Sequence, residues 1–160
     1  MNSILRILPW KRILVMTVSI LAILIVFNFY GLYTNKFYFF KIDNYIFPIL
    51  TLVHFGFLYV LWFKIKEEEV ADPKMRNLEY ALYAILAVYV FKFFSTLSIL
   101  FSYGQYENHV IPGTFIPIGI LILLLYVTLI CLTLLAFKYR KDKVGEYEFD
   151  DMNQHIDSWE

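Results

Sequence analysis

Apolar residues in this chain run in four long blocks separated by short polar stretches, from Ile13 to Leu32, Tyr45 to Phe63, Tyr80 to Ser102 and Thr114 to Phe137. About 20 mostly apolar residues, rising ~1.5 Å each, cross a hydrocarbon core ~30 Å thick as a helix. Each block therefore predicts one transmembrane helix. The connecting stretches are short, so consecutive helices are expected to be antiparallel neighbours. The fold class is all-α: a polytopic four-helix membrane bundle over residues 13–137, between an N-terminal segment (1–12) and a C-terminal tail (138–160).

Lys11 and Arg12 before the first block resemble the start of a secretory signal. The apolar run is long, however, and Phe27, Asn28, Phe29 and Tyr30 stand where small residues would mark a cleavage site. The expectation is an uncleaved span. Prolines agree with the helices. Pro48 and Pro117 fall in first turns, where a missing N–H costs little. Pro112 and Gly113 mark a turn before the fourth span, and Asp72 followed by Pro73 reads as a turn or helix start.

Charge orients the bundle. Lys and Arg are favoured in short cytoplasmic loops. Arg6, Lys11 and Arg12, then Lys64, Lys66, Lys74 and Arg76, then Lys138, Arg140, Lys141 and Lys143 share one side, and only Lys36 and Lys41 lie on the other. Eleven against two predicts that both termini are cytoplasmic, in a bacterial inner membrane. Trp10, Trp62 and Tyr139 at that side, with Tyr30, Tyr33, Tyr38, Tyr45 and Tyr103 at the other, suit the headgroup layers. The aromatic run between Lys36 and Lys41 is expected to lie in the outer interface.

Composition adds weight to this. Apolar residues make up 60% of the 160 and mean hydropathy is +0.61, more than a soluble domain of this size can bury. The 14 basic and 14 acidic residues balance, which excludes a net basic nucleic-acid surface. The lone cysteine, Cys131, forms no disulfide within the chain.

Lys92 breaks the apolar pattern. It lies thirteen residues from Glu79 and eleven from Tyr103, near the midplane of the third span. A central lysine costs about 3 kcal/mol on insertion scales, and no acid of the chain is placed at its depth. It must be neutral, reach a water-filled cavity, bind an anionic ligand or lipid headgroup, or pair with an acid on another subunit. His54 lies at a similar depth in the second span and is expected to be able to face Lys92. Tyr89, Ser95 and Thr96 share the Lys92 helix face, and Tyr126 sits at the middle of the fourth span. Together these six could line one polar seam. The plainer alternative is that hydroxyls bond backbone carbonyls and His54 is a hydrogen-bonded packing residue.

Other chemistry is not legible. His54, His109 and His155 are too far apart along the topology for a metal site or two-histidine haem ligation. Phosphate-binding glycine loops, nucleophile elbows and zincin motifs do not occur, and no carboxylate lies within a span. No cofactor is expected. The loop from Lys64 to Glu79 reads as solvated, and Lys138 to Lys143 as a basic flank for anionic headgroups. In the acidic tail, Phe149, Met152, Ile156 and Trp159 fall at helical spacing and form a possible docking stripe for a partner. The alternative there is a frayed tail.

The leading expectation is a non-enzymatic accessory or assembly subunit of a larger membrane complex, with Lys92 pairing an acidic group on a membrane-protein partner or a second copy. The alternative is a transport or small-molecule-binding protein that uses a midplane site at His54 and Lys92.

Overall fold

The computed structural model of the chain describes residues 9–106 and 110–147. Four helices dominate it: α1 (Trp10–Asn28), α2 (Ile46–Lys66), α3 (Pro73–Phe101) and α4 (Phe115–Val144). All four are long and apolar enough to cross a membrane. A helix thus covers most of each expected block, and the architecture is an all-α bundle.

The helix ends differ from the apolar boundaries. α3 begins at Pro73, seven residues before Tyr80, and α4 runs to Val144, seven beyond Phe137. Hydropathy marks where the hydrocarbon ends, whereas backbone hydrogen bonding continues until a local signal stops it. Asp72 is that signal for α3: its carboxylate accepts the Met75 N–H at 2.7 Å, with Pro73 in the first turn. Gly145, at φ 95°, ends α4 in a conformation that residues with a Cβ rarely adopt. The stretch from Lys64 to Glu79, expected as a solvated loop with an extended helix end, thus contains the last residues of α2 and the first two turns of α3.

α1 stops early, at Asn28. Beyond it Tyr30–Gly31 (β1) pairs antiparallel with Lys36–Phe37 (β2) in a small hairpin. Asn35 supplies a left-handed turn position at φ 53°, which asparagine tolerates better than most residues. The Phe37 and Phe39 rings stack at 5.7 Å, and Phe29 packs on Phe39 at 5.5 Å. A 3-10 turn (Ile42–Tyr45) leads into α2, and a second one (Ser102–Tyr106) follows α3.

Each helix packs against its sequence neighbours, and α1 closes the ring on α4. Leu21, Leu24, Phe47, Phe57, Leu82, Tyr89 and Leu129 form the centre and are at most 1% exposed. Val15, Leu52, Phe91 and Leu124 point outward and are at least 60% exposed, as side chains solvated by lipid would be. Lipid tails are as apolar as these side chains, so helix association depends on close packing. Gly119 shows this: a Cβ there would lie 2.4 Å from Leu100 Cδ2. Hydroxyls inside the helices are satisfied locally. Thr17, Ser19, Thr96, Thr128 and Thr133 each donate to the carbonyl four residues back.

The bundle has two distinct ends. The starts of α1 and α3 and the finishes of α2 and α4 form the terminal end, where Trp10 shares a cleft with Ile65 and Val144. The hairpin and the Ser102–Tyr106 turn belong to the opposite, hairpin end.

Candidate functional site

A polar cavity of about 410 Å³ lies at the hairpin end, against β1 and the turn that follows it. α1 contributes Asn28 to its wall. The hairpin and the segment after it contribute Tyr30, Thr34, Tyr38, Lys41 and Asn44. α3 contributes Lys92, Ser95 and Thr96, and α4 contributes Tyr126. Four of the six residues expected to form a membrane seam therefore share this cavity.

The roof is built from polar groups that satisfy one another. The Asn28 amide donates to the Asn44 carbonyl, and the Asn44 amide donates to the Tyr38 carbonyl at 3.0 Å. The Tyr38 hydroxyl donates to Thr34 Oγ1 at 2.9 Å, and the Tyr30 hydroxyl donates to Asn35 Oδ1 at 2.6 Å. Tyr33 and Ser102 hydroxyls lie 2.6 Å apart and fasten the hairpin to the end of α3.

Lys92 is different. It is half-buried, and among the described residues no hydrogen bond or ion pair reaches its ammonium group. No carboxylate is found among the residues lining the cavity. Lys41, the second cation there, has Asp43 at 3.8 Å, but both side chains are more than 60% exposed, so water screens that pair.

His54 and Tyr89 point elsewhere. His54 is fully buried, and its Nδ1 lies 3.1 Å from the Tyr89 hydroxyl. The ring's other nitrogen, Nε2, meets no hydrogen-bonding group among the described residues. Neither residue lines the Lys92 cavity. The reason is position along α3. Tyr89 and Thr96, seven residues apart, differ by only roughly 20° around the axis but by about 10 Å along it, so Tyr89 sits deeper, against His54 of α2, while Lys92, Ser95 and Thr96 line the cavity nearer the hairpin. Phe47 packs 5.7 Å from the Tyr89 ring and 6.1 Å from the Tyr126 ring. Of the six expected seam residues, Lys92, Ser95, Thr96 and Tyr126 thus share one cavity, while His54 and Tyr89 form a buried pair outside its lining. Among the described residues, no group of three His, Cys, Asp or Glu is placed to hold a metal ion. The docking stripe Phe149, Met152, Ile156 and Trp159 lies outside the described residues.

The terminal end holds a second ionic site that the sequence reading missed. Glu79, expected in a solvated loop, and Arg140, expected in a basic flank facing headgroups, are 1% and 8% exposed. Arg140 Nη2 donates to Glu79 Oε1 at 2.8 Å, and Arg140 Nε lies 2.7 Å from Oε2. The Tyr83 hydroxyl reaches Oε1 at 3.3 Å, and the Tyr147 hydroxyl donates to Oε2. Arg140 also donates to the Gly145 carbonyl at 3.0 Å and lies 4.4 Å from the centre of the Tyr147 ring. Burial, and then the bond to the Glu79 carboxylate, push the Tyr147 phenol above its ordinary range. The signal was present in the sequence: Glu79 and Arg140 flank the ends of two antiparallel spans at matching depth. Beside them, Lys64 is bound by Glu69 at 2.8 Å and Asp72 at 3.0 Å.

No family model matches the chain, and neither a curated protein nor a solved structure matches it.

Proposed function

We propose that this chain is a non-enzymatic integral membrane protein that binds an anionic ligand in the cavity beneath the hairpin. One observation carries the reading: Lys92, a cation on a membrane-spanning helix, lines a cavity that contains a second lysine and no described carboxylate. A lysine in hydrocarbon is costly unless something offsets it, and a cavity that admits water or an anion would offset it. Amide and hydroxyl groups on the wall can add hydrogen bonds to such a ligand. The positive-inside asymmetry supports an orientation with the hairpin outward and both termini cytoplasmic in a bacterial inner membrane. The ligand then arrives from the outer side.

The test is a thermal unfolding series on the full chain in an uncharged detergent with inorganic phosphate as the probe. Binding to the folded state raises its stability by mass action. Wild type should gain several degrees at saturating phosphate, and Lys92→Met should gain none. Equal shifts in the two proteins, or no shift in wild type, would overturn the reading.

A second reading is supported by the exposed surface of α3. Only 17% of its apolar window is buried, against 28% for α1, 33% for α2 and 39% for α4. That surface favours an accessory subunit that packs α3 on a partner and pairs Lys92 with the partner's acid. Isolation in mild detergent should then recover a stoichiometric membrane protein that Lys92→Ala loses.

A further inference from the structure

We infer that the anion bound at Lys92 is the phosphate of a membrane lipid, whose headgroup occupies the cavity under the hairpin while an acyl chain lies in the adjoining groove on α3. This rests on the reading that Lys92 holds an anion, and it adds a ligand class. A second cavity of about 440 Å³ lies on the outer face of α3. It shares Tyr33, Ser95 and Ile99 with the Lys92 cavity, so the two abut along a little more than one turn of helix.

The two differ in chemistry. The first has two lysines and the Asn28 and Asn44 amides. The second is lined by Phe91, Phe94 and Ile99 together with Tyr33, Ser95, Ser98 and Ser102, carries no charged group, and opens outward, with Phe91 and Phe94 69% and 57% exposed. A soluble anion would use only the first. An amphiphile uses both, because its charged end and its apolar chain require different surroundings within a few ångströms of each other.

The site is deep. Lys92 is nine residues from Phe101 at the end of α3, which is about 14 Å at ~1.5 Å per residue. Its flexible stem covers part of that distance, and Lys41 lines the same cavity from the segment after the hairpin, so a headgroup held by both is drawn inward under the hairpin. The Tyr33 to Ser102 contact holds the hairpin against the upper rim of the groove.

The experiment is native mass spectrometry of the full chain incubated with phosphatidylglycerol in uncharged detergent, alongside thermal unfolding with inorganic phosphate. Two variants separate head from tail: Lys92→Met removes the cation, and Ser98→Trp fills the groove without lining the headgroup cavity. Phosphatidylglycerol retention should fall at least tenfold in each. The phosphate shift should vanish in Lys92→Met and persist in Ser98→Trp. Ser98→Phe replaces Ser98→Trp if the larger ring prevents folding. Retention that ignores the groove-filling variant overturns the lipid assignment, and a phosphate shift that still depends on Lys92 then leaves the anion site standing. Phosphate and lipid binding that both ignore Lys92 overturn the two readings together.

Discussion

At the terminal end of the bundle Glu79 is 1% exposed, and its carboxylate meets Arg140, Tyr83 and Tyr147. At the hairpin end Lys92, on the same helix, lines an open cavity with no described partner. Both are charges close to or within an apolar slab, and both must offset lost hydration. The first does so inside the chain, with bidentate ionic geometry and two phenols, which leaves little acceptor capacity for anything else. The second faces a space that water or a ligand must fill. A buried charge held by partners within the chain acts as a structural clamp, whereas one that lines a cavity without a partner is available for recognition.

Breaking the clamp should have the largest effect. Glu79→Gln leaves Arg140 buried beside a neutral amide, and removing one member of a buried pair costs about 3–5 kcal/mol. Arg140→Met should cost a similar amount. The double variant should be less destabilised than the sum of the two, because no uncompensated charge remains. Unfolding in detergent would measure this cycle, and additive losses would mean that the pair is not one unit.

Asp72→Ala tests a smaller contribution at the same end. Losing the N-cap of α3 costs about 1 kcal/mol, and the ion pair with Lys64 adds little because the Asp72 side chain is 37% exposed. The Met75 N–H, and then Lys64, hold the Asp72 carboxyl below its ordinary value of 3.8. A depressed carboxyl contributes stability above its unfolded value and loses it as pH falls through the folded one. The gap between wild type and Asp72→Ala should therefore be full near neutrality and narrow below pH 3.8. A gap constant with pH would place the contribution elsewhere.

The smallest expected change in stability is at the hairpin end. Lys92→Met in ligand-free detergent should leave stability within about 0.5 kcal/mol of wild type, as substitutions that break no packed or bonded contact usually do, or raise it by removing a poorly solvated cation. A loss as large as that of Glu79→Gln would show Lys92 to be a structural residue and erase the contrast between the ends.

Much of this was legible along the chain. Four apolar blocks long enough to cross hydrocarbon require four helices, because a lipid-exposed backbone must satisfy its own hydrogen bonds. Asp72 and Pro73 announced the start of α3, and Lys92 announced itself as a charge without a carboxylate at its depth. Three things depended on how the helices pack. The level of α3 against its neighbours put Tyr89 beside His54 and Lys92 under the hairpin, a placement that spacing alone leaves open when the neighbours' positions are unknown. The approach of α3 and α4 brought Glu79 and Arg140 together across 61 residues of sequence, and local hydropathy reads both as surface. The hairpin folded over the end of α1, where apolar content alone extended the helix to Leu32. Hydropathy is a property of each segment and fixes what must enter the membrane. Which charge is sealed and which stays open depends on distances between segments, and only the packed bundle defines those.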